Sequence, residues 1–149
     1  MKKKTILGLI AIAAVVIAVA VLFAGYVGRE EVDVAQVREY ADPITDNILL
    51  AMNEDNYTEY SEHFDQTMKN AMPEAVFNET NAMIKSKIGD YVSTDFWKVK
   101  SKHQYTIVYY KAKFTQEPED VIVKVVFQEI TGEMKVSGLW LDSPKLRKK

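Results

Sequence analysis

The chain has 149 residues, 19 basic and 21 acidic side chains, a formal charge of −2 and no cysteine. That length suits one ordinary domain, and the missing thiols exclude disulfides, thiol catalysis, iron–sulfur clusters and cysteine-bound zinc. With no basic excess, it lacks the electrostatic footprint of a nucleic-acid binder, so nucleic acid is not an expected partner.

Lys2, Lys3 and Lys4 precede Ile6–Val27, a run of 22 residues with no charge. Wound as a helix the run is about 33 Å long, enough to cross a bilayer. The positive-inside rule holds residues 1–5 in the cytoplasm and places everything from Gly28 onward outside. These features predict a single-pass cell-membrane protein, with the lipid bilayer as a partner through Ile6–Val27. The alternative is a signal peptide cut after Ala18-Val19-Ala20, giving a secreted chain. Against it, the run exceeds the usual ~7–15-residue signal core, and cleavage would leave the apolar Val21-Leu22-Phe23 at the new terminus.

Residues 28–149 carry a formal charge of −5. Residues 28–41 read as a charged stalk, with Val34, Val37 and Ala41 at helical spacing. Asp42-Pro43 predicts a helix start or a kink, because proline suits the first helical position and breaks an interior turn. The domain is accordingly placed at 42–143. Ile44, Ile48, Ala51 and Met52 form the stripe of its first helix. Tyr57, Tyr60, Phe64 and Met68 mark one face of a second helix, with Glu59, Glu62, Asp65 and Lys69 directed outward. Pro73 opens a third, Val76, Phe77, Thr80, Met83, Ile84 and Ile88 keep its period, and Gly89 ends it.

Beyond Gly89 the period becomes alternating, which predicts four strands near Tyr91–Lys100, Gln104–Phe114, Val121–Glu129 and Met134–Asp142. The turns are Lys100-Ser101-Lys102, the acidic stretch Gln116–Asp120, and Thr131-Gly132-Glu133. On the third strand Val121, Val123, Val125 and Phe127 make an apolar face, opposed by the mixed face of Ile122, Lys124, Val126 and Gln128. Residues 144–149 form a basic tail, read either as a frayed end or as attracted to anionic headgroups or an acidic partner.

The expected fold class is α+β: a transmembrane helix, then about three helices on one face of a four-stranded antiparallel curved sheet. In Asn56-Tyr57 with Phe64, Lys87-Ile88-Gly89-Asp90-Tyr91 and Val136-Ser137-Gly138-Leu139-Trp140-Leu141, the chain resembles the cone-shaped nuclear-transport-factor-two and ketosteroid-isomerase superfamily. The narrower likeness is to that superfamily's small prokaryotic domains of unknown function. The resemblance spans about Val34–Ser143. It implies a pocket between sheet and helices lined by aromatic residues, drawn from Tyr57, Tyr60, Phe64, Tyr91, Trp97, Tyr105, Tyr109, Tyr110, Phe127 and Trp140. Of these, Tyr57, Tyr60, Trp97, Tyr109 and Trp140 are the ligand-binding candidates.

An isomerase-type enzyme needs a carboxylate base in such a pocket and an oxyanion partner. Asp95 is the one candidate base, sharing a face with Tyr91 and Trp97 by alternation; its bland reading is an exposed edge-strand charge. His63 and His103 have no second histidine at helical spacing, so no metal site is expected, and no cofactor motif is present. Asn56-Tyr57-Thr58 and Asn78-Glu79-Thr80 are glycosylation sequons. The balance falls on a non-catalytic, membrane-anchored module outside the cell that binds a small apolar ligand or an envelope protein. An isomerase or cyclase, and a homodimer closed through the sheet, are the competing readings.

Overall fold

A computed structural model describes residues 31–149. Among them no helix is long and apolar enough to cross a membrane; the Ile6–Val27 run, the lysines before it and the Ala18–Ala20 site lie outside the described residues.

The order is α1 (Val34–Asn53), α2 (Tyr57–Tyr60), α3 (Gln66–Ala71), α4 (Glu74–Ile88), β1 (Tyr91–Lys102), β2 (Tyr105–Phe114), β3 (Glu117–Ile130), β4 (Glu133–Asp142) and α5 (Pro144–Arg147). The four strands form one antiparallel sheet in the order β1-β2-β3-β4. The fold is thus α+β, with its helices preceding a meander. Val121, Val123, Val125 and Phe127 of β3 are wholly buried, as are Val108 and Ala112 of β2, and they join Ile48, Leu49, Phe64, Phe77 and Ile88 from the helical segments in one core.

The helical segments depart from the sequence reading in three places. α1 neither starts nor kinks at Asp42-Pro43 but runs through Pro43 from Val34, with Asp33 as its N-cap. Its buried stripe of Val37, Ala41, Ile44, Thr45, Ile48, Leu49 and Met52 is continuous across the proline. An interior proline costs ~3 kcal/mol, and each fully buried aliphatic side chain returns ~1.5–3 kcal/mol, so burial upstream of Pro43 offsets the lost hydrogen bond. The helix expected from Tyr57 to Lys69 is instead two short ones, α2 and α3, separated by a turn after which Phe64 bridges Val136 of β4. Asp65, expected to face solvent, is buried at the head of α3. On α4, Val76 and Met83 are exposed and the buried positions are Phe77, Asn81 and Ile88. Asn81 enters the core because its Nδ2 donates to the Met52 carbonyl at 2.8 Å and to Asp55 Oδ1 at 2.7 Å, closing the end of α1.

Gly89 ends α4 at φ +75°. The acidic stretch read as the turn from Gln116 to Asp120 is mostly strand, since β3 begins at Glu117 and pairs it with Phe114. Glu117 tolerates burial there because its carboxylate accepts hydrogen bonds from the Lys145 and Glu119 N–H groups.

Candidate functional site

The aromatic residues proposed to share one pocket lie on opposite sides of the sheet. Tyr57 and Tyr60 belong to the helical side. Tyr60 packs on Phe64 and Phe77 at ring separations of 5.0 and 4.4 Å, and the Tyr57 hydroxyl donates to the Met72 carbonyl at 2.8 Å. Burial pushes the Tyr60 phenol up to about 12, aided by the nearby Tyr57. These side chains fill the space between helices and sheet, together with Phe127 and Tyr110. Trp97, Tyr109 and Trp140 stand on the other face, where none of the described helices covers them.

Two open clefts occur at the margins. One, of about 340 Å³, lies between α1 and β1 and is lined by Arg38, Asp42, Asp46, Asp95 and Tyr110 among others. Asp42 and Asp46, one helical turn apart, were not singled out from the sequence; their spacing from Arg38 was the available signal. Asp42 accepts from Arg38 Nε at 2.9 Å and from the Tyr110 hydroxyl at 2.8 Å, while Asp46 accepts from the Tyr91 hydroxyl at 2.6 Å. Burial and the bond to Asp46 push the Tyr91 phenol up to about 12; burial and the bond to Asp42 push Tyr110 higher still. Both hydroxyls therefore hold their protons and already direct them at carboxylates, so neither is directed at a substrate oxygen, as an oxyanion donor must be. Asp95 sits at the rim of this cleft, exposed and opposite Lys111. It does not keep company with Tyr91 as alternation predicts, because a bulge between Tyr91 and Ser93 shifts the register and sends Tyr91 into the core against Phe114.

The second cleft, of about 530 Å³, is lined by Tyr40, Ile44, Glu62, His63 and the first three residues of β4. His63 lies 3.7 Å from Glu62, and His103 occupies the β1–β2 turn at φ 55°. Among the described residues no group of three or more histidine and carboxylate side chains could hold a metal ion. Asn56 is the N-cap of α2, its side chain accepting from the Glu59 N–H, and Asn78 is exposed in the middle of α4.

The open face of the sheet is the most distinctive surface. Cross-strand register aligns Lys98 with Tyr109, Tyr109 with Lys124, and Lys124 with Trp140, one rung of alternating cations and rings spanning all four strands. The next rung aligns Lys100, Ile107, Val126 and Gly138. A bulge between Phe96 and Lys98 makes Trp97 an extra residue on β1, which lets Trp97 and Lys98 emerge together on this side. The Lys98 ammonium lies 4.2 Å from the Trp97 ring centre and 4.9 Å from that of Tyr109; Lys111 stands 4.6 Å from Trp97, and Lys124 4.7 Å from Trp140. Trp97 and Trp140 remain 43% and 53% exposed, unusual for side chains so rarely left to water. The lysines were missed as a group because each reads alone as an ordinary outward position on a strand. Their common rung exists only once the register is known.

No curated protein matches the chain. Among solved structures it is similar to a DUF4783 family protein from Bacteroides uniformis, at 13% identity and a TM-score of 0.44, with 65% of this chain and 94% of that one covered. It is also similar to a SEC-C motif containing protein from Rhodopseudomonas palustris, at 10% identity and a TM-score of 0.47, with 72% and 92% covered. The family model DUF3887, described as a protein of unknown function, matches residues 45–139. That stretch begins in the buried half of α1, includes α2 to β3 and reaches β4 just short of Trp140, so it takes in most of both the core and the open face: the chain belongs to the DUF3887 family.

Proposed function

We propose that the protein is a non-catalytic binding module, tethered outside the cell membrane by Ile6–Val27, whose working surface is the uncovered face of its sheet. The observation that carries this reading is the rung Lys98–Tyr109–Lys124–Trp140, together with the two half-exposed tryptophans beside it. Exposed aromatic surface gathered on one face in this way is typical of places that meet a partner. The kinship with the nuclear-transport-factor-two superfamily belongs to the same proposal and is supported by the order of elements, helices first and a four-stranded meander after. Isomerase-type catalysis has less support, since Tyr91 and Tyr110 are already bonded to Asp46 and Asp42.

Single-cysteine variants test the reading, because the chain has no cysteine of its own. Lys100→Cys lies on the open face and Glu79→Cys on the exposed side of α4. In intact cells a membrane-impermeant maleimide is expected to label Glu79→Cys readily and Lys100→Cys slowly, whereas both react equally in the purified protein. No labelling at Glu79→Cys refutes the placement outside, and equal labelling of the two in cells refutes an occupied face.

A further inference from the structure

Resting on that reading, we infer that the open face docks on an anionic lipid surface, namely the bilayer in which the chain is anchored. Charge is segregated within the domain. Residues 31–90, which hold α1 to α4, carry thirteen acidic and four basic side chains, a formal charge of −9. Residues 91–142, which hold the sheet, carry seven acidic and seven basic side chains, and residues 143–149 add four basic ones. An anionic plane therefore repels the helical segment and is met best by the side of the sheet that carries Lys98, Lys100, Lys111 and Lys124. The lysines of this face are available for it: among the described residues none of Lys98, Lys100, Lys111 and Lys124 forms an ion pair, whereas the marginal Lys113, Lys135 and Arg147 are paired with Asp120, Glu133 and Asp142.

The rings point to lipid rather than to a sugar or a nucleobase. Either of those ligands needs a free aromatic face to stack on. Here ammonium groups stand over Trp97, Tyr109 and Trp140, and the Trp140 indole also lies down on Gly138, where an added Cβ would come within 2.5 Å of its ring. Indole edges flanked by lysines are the pattern that settles at headgroup depth, the rings at the interface and the ammoniums on phosphate.

The tether makes a weak contact sufficient. Val27, the last residue of the run, is seven residues before Val34, the first of α1. Fully extended, those residues reach at most about 25 Å, so the domain stays beside the bilayer at an effective concentration of order mM.

The test uses the full chain in bilayer discs of phosphatidylcholine alone, or with about one phosphatidylglycerol in three, an anionic surface of the kind that attracts lysine clusters. Trp97 and Trp140 are the chain's only tryptophans, so its tryptophan emission reports this face alone. The expected result is a blue shift and quenching by brominated lipid in the anionic discs, both absent in the neutral ones and reversed at about 0.5 M salt. Lys111→Glu with Lys124→Glu is expected to lower the docked-to-undocked ratio at least about twenty-five-fold, about fivefold for each lysine charge lost, with circular dichroism unchanged. Quenching that survives this pair of replacements overturns the inference. Shielding from acrylamide without lipid quenching also overturns it and leaves the open face as a surface for a second copy or another protein. Tryptophans open to acrylamide in every disc overturn this inference, while the proposed function stands or falls on the labelling in cells.

Discussion

Replacing Asp65 by alanine removes the group that ties the helical segment to the sheet. Its carboxylate accepts the Met68 N–H at 2.7 Å, capping α3, and also accepts from the Ser137 hydroxyl at 2.6 Å and Gln128 Nε2 at 3.0 Å on β4 and β3. The loss of an N-cap costs ~1 kcal/mol. Two hydrogen bonds to a charged acceptor contribute ~1.5 kcal/mol each at the low end of their range, and both donors are half-buried and able to recover part of that from water. The net expectation is ~3 kcal/mol. With a urea m-value of ~1.5 kcal/mol/M for a domain of this size, the unfolding midpoint falls by ~2 M. Asp65→Asn retains the capping oxygen and should lose about half as much. In a cycle with Ser137→Ala the two single effects should fail to add by ~1 kcal/mol, as groups sharing one network do. A midpoint shift below ~0.5 M for Asp65→Ala, or additivity in the cycle, would refute the claim that this network holds α3 to the sheet.

Stability should fall steeply in alkali. The Tyr60 and Tyr91 phenols are pushed up to about 12 and Tyr110 beyond, so their protonated forms favour the fold fully below pH ~10, and that contribution is lost as pH rises through 12; for Tyr60 it is on the order of 2–3 kcal/mol. Tyrosinate absorbance should therefore rise in two stages, the second coinciding with loss of circular dichroism, and a single stage near pH 10 with the fold intact would contradict this. Gly89→Ala places a Cβ at φ +75° against the Thr115 hydroxyl and 2.9 Å from Gln116 Cγ; it should cost ~2 kcal/mol, or about 10 °C in melting temperature, and an unchanged melt would show that the α4–β1 corner can relax. Gly138→Ala should lift the Trp140 ring off the strand, seen as a red shift in emission with less than ~1 kcal/mol lost, and unaltered emission would mean that the ring does not rest there.

The core was legible because it obeys period. Val121, Val123, Val125 and Phe127 alternate without interruption, and all four are wholly buried. What escaped the sequence lies where a local rule is overridden by a partner distant along the chain. Pro43 signals a helix boundary, yet the buried residues on both sides of it make one continuous helix more favourable than two. Asp65 has the composition of a solvated helix face, and it is buried because Gln128 and Ser137, more than sixty residues later, supply its donors.

The same reasoning explains why the open face was only partly visible. Trp97, Tyr109 and Trp140 could be named from the sequence as exceptional side chains, but not placed on one surface. A bulge at Trp97 and another at Ser137 each insert an extra residue, and a one-residue slip reverses every side chain beyond it. Those two bulges decide that Lys98 faces outward beside Trp97 and that Trp140 shares the rung of Lys124. Deleting Ser137 would restore strict alternation in β4 and turn one flank of the strand over. Either Val136 would leave the core or Trp140 would enter it, so the irregularity lets this strand serve a buried helical side and an exposed cationic side at once.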